Sequence, residues 1–382
     1  MKHYDYIFAG AGLSALMTAY RMAVSGNFND KEILLIDKSP KKSNDRTWCF
    51  WEKDAGEWDA IVSNKWDSAL FSNEEFSRVM ELRPYKYKMI KGIDFYNHVF
   101  ETLSKNPNIT FLNNDVLGFY DTAMLVTVKT ESETFTCSTL INSIYNPALA
   151  AAQTKHPVLR QHFTGWFIKS SEDVFTPNCA TFMDFSVPQK GNTRFMYVLP
   201  TSKTEALVEY TLFSKDLLLE TEYEEAINDY LQRLGITDFQ IVEKEHGSIP
   251  MTLYPFWKNN TKNIIHIGSA GGWTKASTGY TFKNTVKKSK GLVAFLQQKS
   301  DLTEFHIIDK FRFYDLLLLD ILDRKNHLGS TVFSSLFRKG NPVLIFKFLD
   351  EETSFSEDLE VIRHCPKPLF IEALLHRIVK IF

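Results

Sequence analysis

Two sets of residues have the types and spacing to do chemistry. Near the start of the chain Gly10, Gly12 and Ala15 stand at the G-x-G-x-x-A spacing, preceded by Ile7, Phe8 and Ala9 and followed by the helically spaced Leu13, Leu16, Met17, Tyr20 and Met22. A strand, turn and helix of this kind cradles a pyrophosphate. The first glycine makes the turn, the second lets the backbone come close, the small third residue lets helix pack on strand, and the helix N–H groups face the charge. Asp37 closes the next apolar run, Ile33-Leu-Leu-Ile36, where an acid takes the ribose hydroxyls of an adenosine. The second set is two lone acids in apolar strands. Glu209 is the one charged side chain in 206–213, and Asp184 the one in 180–185. Period-2 alternation places Glu209 on a face with Leu207, Thr211 and Phe213, and Val208, Tyr210 and Leu212 on the other. Desolvation raises the pKa of a carboxyl in such surroundings, so that it stays protonated and can act as a general acid. Its plainer reading is a paired structural carboxylate, and for Asp184 a strand-end hydrogen-bond acceptor.

The elements that must hold these residues read as a mixed α/β chain. After Asp37 the βαβ alternation stops, and a long irregular segment leads to a helix near 95–103. Short strands are expected at 109–112, 124–129, 134–137 and 140–142, then at 162–168, 180–185, 195–199 and 206–213. Thr221-Glu-Tyr-Glu224 reads as a capping box opening a helix that Gly235 closes. Late in the chain 263–272 repeats a strand and glycine turn with Gly268, Gly271 and Gly272, as in chains that bring a second helix N-terminus to a flavin. With no second G-x-G-x-x-G/A there is no sign of a built-in NAD(P)H domain, which favours FAD as a resident cofactor.

Composition bounds the partners. The 382 residues are 44% hydrophobic and carry a formal net charge of −2, which gives no reason to expect nucleic acid. The 4 cysteines are scattered, and the 10 histidines show no ligand spacing, so no metal is expected; His246 and His266 read as structural. Asp5 interrupts the first apolar stretch, which speaks against a signal peptide, and no uncharged run approaches a membrane span. Phenylalanine is abundant, at 31 residues, as either a Phe-rich core or a tunnel for a large apolar ligand requires. Beyond Pro368, residues Ile371, Leu374, Leu375, Ile378 and Phe382 line one face at helical spacing, with Glu372, His376, Arg377 and Lys380 elsewhere. Such a helix either docks on the body or forms part of a monotopic membrane surface, for which 333–337 and 344–348 are the alternative.

The residues also carry a family resemblance. The chain resembles the bacterial lycopene β-cyclases, FAD-containing proteins related in fold to p-hydroxybenzoate hydroxylase and geranylgeranyl reductase. The match runs through the nucleotide turn, 44–51 (Asn-Asp-Arg-Thr-Trp-Cys-Phe-Trp), 87–90, 94–96, 182–185, 207–213, 268–272, 275–282 (Lys-Ala-Ser-Thr-Gly-Tyr-Thr-Phe) and 313–319. Three positions depart from it: Ser269 stands where an Asp is usual, 142–145 is a loose version of an Asp-containing turn, and Tyr210 replaces the second acid of a paired-carboxylate motif, leaving Glu209 alone.

The resemblance implies a Rossmann-like FAD-binding subdomain in 1–150 that returns in 256–300, an interleaved antiparallel substrate subdomain in 151–255, and a helical part in 301–382 with membrane contact. It implies acid-initiated closure of the ψ ends of lycopene to β-ionone rings, β-carotene forming through γ-carotene, with no net redox change. Reduced FAD would stabilise the cation, with NAD(P)H as external reductant. Glu209 would be the acid and Asp184 would position it or stabilise the cation, Arg46 and Trp48 would lie near the isoalloxazine, and Tyr280 and Phe282 would line the polyene tunnel or simply belong to the core. The expected partners are lycopene and related acyclic carotenoids, and the expected location is cytoplasmic, peripheral to the inner membrane. A flavin-dependent prenyl reductase or monooxygenase, and a non-catalytic carotenoid- or flavin-binding protein, are the alternatives.

Overall fold

The structure, a computed structural model, describes residues 1–298, 301–306 and 308–381. The chain opens with β1 (Lys2–Ala9), α1 (Leu13–Ser25) and β2 (Ile33–Asp37). Residues 38–91 are not irregular: they hold β3 (Thr47–Glu52), β4 (Asn64–Trp66), β5 (Ser68–Ser72), β6 (Ser77–Glu81) and β7 (Lys86–Lys91). Then come α2 (Gly92–Leu103), β8 (Ile109–Asn113), β9 (Val116–Asp121), β10 (Val126–Thr130), β11 (Thr134–Asn142) and α3 (Pro147–Ala151). The expected strands at 134–137 and 140–142 are thus one. Next are β12 (Val158–Ser170), β13 (Cys179–Asp184), β14 (Thr193–Pro200), β15 (Glu205–Ser214), α4 (Glu220–Arg233), β16 (Phe239–Thr252), β17 (Ile264–His266) and α5 (Phe282–Leu296). The chain ends in α6 (Lys310–Arg324), α7 (Gly329–Lys339), α8 (Pro342–Leu349), α9 (Phe355–Ile362) and α10 (Lys367–Ile381).

The first sheet runs β8-β2-β1-β11-β10-β9, with β17 also on β11; β8, β2, β1, β11 and β17 are parallel, β10 is antiparallel to β11, and β9 is antiparallel to β10. Helices α1, α2 and α5 pack on it through Leu16, Met17, Phe95, Val99 and Leu292, all fully buried. The second sheet runs β16-β12-β15-β14-β13-β5-β6, so two strands from early in the chain extend a sheet built from 158–252. A third, β3-β7-β4, joins the two regions.

The second sheet is apolar on both faces, which is why β15 reads as a continuous run. Leu207 and Phe213 point into a core shared with the C-terminal helices, whereas Val208, Tyr210 and Leu212 meet Tyr223, Ile227, Tyr230 and Leu231 of α4. That helix begins at Glu220 rather than at the expected Thr221 cap. Leu219 is its N-cap with no side-chain bond, and Glu220 and Glu222 in the first turn suit the helix dipole instead.

Candidate active site

At one end of the molecule the two glycine turns meet. Gly10 has φ +85°, and a Cβ there would stand 2.6 Å from Ser143 Oγ, so only glycine serves. Gly12 is the N-cap of α1, and nothing lies within 4 Å of where its Cβ would be. Asp37 holds the turn from β2: Oδ2 accepts from Ala11 N at 2.6 Å, Oδ1 from Ser39 N at 2.8 Å, and Lys41 Nζ lies 3.3 Å away. The late turn packs against the same helix, with Gly268 (φ +59°) so close that its Cβ would meet Ser14 Oγ at 2.8 Å. Ser14 in turn is 3.3 Å from Thr285 of α5.

From these turns a single cavity of about 1120 Å³ runs through the protein. Gly10, Gly12, Asp37, Arg46 and Gly268 line its first part; Ala15, Gly271 and Gly272 shape the turns without facing it. Trp48, Tyr280 and Phe282 also line it, Trp48 edge-on to Phe95 and Phe50 stacked on Phe282 at 4.5 Å. The loop 275–282 is fastened from below. Lys275 Nζ is buried, 3.1 Å from Asp315 of α6 and 3.0 Å from Glu351, and Ser277 donates to Asp315 at 2.7 Å. The ammonium pairs with both carboxylates, which offsets the cost of its burial.

The middle of the cavity holds Glu209, whose side chain is on the face expected of it. Thr211 donates to its carboxylate. Burial raises its pKa above the ordinary carboxylate range, the charge of Glu245 raises it further, and the Thr211 hydroxyl opposes them. Glu245 is the residue that sequence reasoning missed. It sits on β16, where Gly165 of β12 pairs with both Glu245 and Glu209, so the two carboxyls share one row with a glycine between. Thr47 of β3 donates to Glu245 at 2.7 Å. Its pKa is also raised, chiefly by burial, with Thr47 and Arg46 pulling it down and Glu243 pushing it up. On the other side of Glu209 the row continues to Tyr197, whose hydroxyl meets that of Tyr87, itself 2.8 Å from Tyr280. A row of acid and hydroxyl groups, Glu245, Glu209 and Tyr197, therefore lines the cavity beside Phe182, Phe195, Leu207 and Phe213.

Asp184 is not part of it. Its oxygens accept from Ser186 N and from the Tyr230 hydroxyl, both at 2.9 Å, on the α4 side of the sheet, so the geometry does not place it as a partner of Glu209. The cause is a bulge between Thr181 and Asp184, which turns Phe182 and Met183 to the cavity and Asp184 to the back.

The far end of the cavity opens among α6, α7, α9 and α10, lined by Phe313, Leu317, Phe333, Ile371 and Leu374. Phe333, Phe337, Ile345 and Phe346 are buried, so the segments 333–337 and 344–348 belong largely to the interior. Helix α10 docks through buried Ala373, with Leu369 and Phe370 beside it, and through polar anchors. The Arg377 guanidinium is buried on Asp320 and donates to Lys155 O at 2.7 Å, while Glu372 bonds Arg324 at 2.9 Å and Lys325 at 2.6 Å. Ile371, Leu375, Ile378 and Val379 stay exposed, at 55%, 58%, 44% and 76%. Phe382 and the side chain of Lys380 lie outside the described residues. Among the described residues no helix is long and apolar enough to cross a membrane, and no cluster could hold a metal ion.

Known proteins match along the whole of this architecture. The chain is 26% identical over 301 residues to the lycopene β-cyclase of Pantoea ananas, covering 76% of this chain and 74% of that one. It is 25% identical to the lycopene β-cyclase of a Paracoccus species, covering 74% and 70%. Among solved structures, a geranylgeranyl bacteriochlorophyll reductase-like protein from Thermoplasma acidophilum superposes with a TM-score of 0.62 at 13% identity, covering 97% of this chain and 98% of that one. A halogenase, PltM, in complex with phloroglucinol and FAD superposes with a TM-score of 0.58 at 12% identity, covering 91% and 82%. These last two establish the mixed α/β fold alone. The family model described as lycopene cyclase protein matches residues 5–374, and the chain belongs to the lycopene cyclase family of enzymes.

Proposed function

We propose that this lycopene-cyclising enzyme makes β-ionone rings from ψ ends with Glu209 as the acid and reduced FAD as its resident cofactor. One observation carries the reading: Glu209 is a buried carboxyl, its pKa pushed up by burial and by Glu245, on the wall of the same cavity that begins at the glycine turns. The residues present suit FAD. The space beside Gly12 admits a pyrophosphate, and Gln161 Oε1 and Thr278 Oγ1, buried on the cavity wall without partners, suit the polar edge of a flavin. Gly10, Gly12 and Asp37 would hold the adenosine half, with Ala15 packing the helix behind them. Arg46, Gly268 and the turn through Gly271 and Gly272 would bound the flavin half. Reduced FAD supplies negative charge beside a developing carbocation. We assign NAD(P)H the part of external reductant.

The protein's own groups do the rest. Glu209 adds its proton to the terminal double bond of the ψ end, the cation closes on the neighbouring double bond, and a proton is lost from the ring. Phe182, Phe195, Phe213, Tyr197 and Tyr280 keep water from the cation and present ring faces to it. Lycopene enters from a bilayer through the opening beside α10, whose outward apolar face would rest on the membrane, so the protein would be peripheral to it. Segments 1–150 and 256–300 would serve the cofactor, 151–255 the substrate, and 301–382 the entrance.

The experiment is anaerobic incubation with FAD, NADPH and lycopene-loaded vesicles. The expected product is an isomer of lycopene bearing β-rings, with NADPH consumption that does not scale with product. A hydrogenated or oxygenated carotenoid would assign redox chemistry instead, and recovery of lycopene alone would overturn the reading.

A further inference from the structure

Each ring closure needs a proton placed on one carbon and a proton taken from another, and the cavity offers two carboxyls. Glu209 and Glu245 flank Gly165 in one cross-strand row. A Cβ on Gly165 would stand 2.9 Å from Leu207 Cδ1, 3.3 Å from Glu245 Cγ and 3.5 Å from Glu209 Cβ, so both acidic stems lean over the glycine. A glycine within a strand marks a close approach of this kind.

The two acids differ in what stands behind them. Glu209 has the Thr211 hydroxyl and its neighbour Tyr197, with Cys49 and Tyr280 facing the same space. Glu245 has the Thr47 hydroxyl at 2.7 Å, and the field of Arg46, which favours its charged form, is outweighed by that of Glu243, which accepts from Asn44 at 3.2 Å. Two carboxyls this close do not ionise together readily. The charge of Glu245 raises the pKa of Glu209, so we assign the retained proton to Glu209 and the carboxylate to Glu245, the acid held by Thr47.

We propose that Glu245 is the base that removes the ring proton, completing an acid–base pair across Gly165. The inference rests on the reading of Glu209 as the acid. After Glu209 has protonated the terminal double bond and the ring has closed, the cation sits on the methyl-bearing ring carbon. Glu245 takes the proton from the adjacent carbon that joins the ring to the polyene. That C–H pair becomes the ring double bond of a β-end, and Glu245 then passes its proton to the Glu209 carboxylate, so the site is restored without oxidant or reductant.

The test is Glu245→Gln in D₂O, with flavin retention and thermal unfolding measured alongside. Protonation by Glu209 survives in this variant but its sequel does not, so β-ring formation should fall on the order of 100-fold or more. The products should then include rings whose double bond lies elsewhere, or recovered lycopene carrying deuterium at its terminal olefinic carbon. Rings of β-type as sole product, at any rate, would overturn the proposal, and so would unlabelled lycopene as sole recovery from a folded, flavin-binding variant. A variant that does not fold is replaced by Glu245→Asp, which withdraws the base by one methylene and should raise the share of misplaced double bonds; β-rings alone from it would likewise overturn the proposal. The parent run in parallel separates the two readings, since a parent that makes no rings fails the acid assignment itself.

Discussion

Glu209 and Asp184 carry the same sequence signature, a lone acid in an apolar strand, and meet opposite environments in one sheet. Asp184 faces α4 and accepts from two donors, a backbone N–H and the Tyr230 hydroxyl. Glu209 faces the cavity with one hydroxyl donor and a second carboxyl in its row. An acid with its acceptors filled is a strut, whereas one left short of donors beside a like charge keeps a proton it can give away. Burial alone separates them poorly, since both are 7% exposed. What separates them is the set of partners, and the partners are set by which face each acid takes.

The largest expected effect tests the cavity face. Glu209→Gln keeps shape and burial but removes the transferable proton, so cyclisation should fall by roughly 10²–10⁴-fold while the protein folds and retains flavin. Carotenoid analysis after anaerobic turnover checks this. Rings formed at the parental rate would erase the distinction between the two acids.

Asp184→Ala tests the other face and should act on stability. It leaves Ser186 N and the Tyr230 hydroxyl without an acceptor in the interior, a cost of about 1–3 kcal/mol. Denaturant unfolding should report that loss, and the fraction that remains folded should cyclise lycopene at close to the parental rate. A stable but inactive variant would return Asp184 to the chemistry.

A third expectation concerns pH and is smaller. Burial raises the pKa of Glu209 and Glu245 in the folded protein, so above the ordinary carboxylate range the folded state holds protons that the unfolded chain has released. Stability must therefore fall as pH rises through that interval, the reverse of the behaviour of a salt-bridged carboxylate. Thermal unfolding of Glu209→Gln against the parent should show the variant the more stable at about pH 8 and the difference shrinking toward about pH 4.

How much of this was legible in the sequence depended on how local each feature is. The turn through Gly10 and Gly12 lies within one strand–turn–helix, and Asp37 ends the next strand, so spacing alone reveals them. The face of Glu209 follows from regular alternation in β15. Asp184 defeats the same argument because the bulge in β13 inserts an extra residue, and the alternation that would put it beside Phe182 is broken there. Glu245 was hidden differently: Gln240, Glu243 and Lys244 make β16 look like a solvated strand, and only its pairing with β12 brings one of its acids inside. The available signal was Gly165, an isolated glycine inside a strand pattern. In 38–91 the strands are only three to six residues long; β3 and β4 pair with β7 and β5 with β6, while the other edge of β5 pairs with β13 far along the chain, so little local periodicity marks them.

The contrast of faces recurs at the far end of the cavity, on two adjacent residues of α10. The amphipathic spacing of this helix is plain from the sequence, but spacing does not say which side docks. Arg377 settles it here by burying its guanidinium on Asp320, which leaves Ile378 at 44% exposure pointing away from the body. A charged group on that outward face meets water in the free protein, so Ile378→Glu should change stability by no more than about 0.5 kcal/mol. On a vesicle it would face the interfacial hydrocarbon, and losing one isoleucine contact of about 1–2 kcal/mol should weaken partitioning by about 5- to 30-fold. Flotation with lycopene-free vesicles measures this without involving the chemistry, and cyclisation of detergent-solubilised lycopene should be unchanged. Equal flotation of parent and variant would mean that the outward apolar face of α10 is not what meets the bilayer, while the opposite assignments of Glu209 and Asp184 would stand.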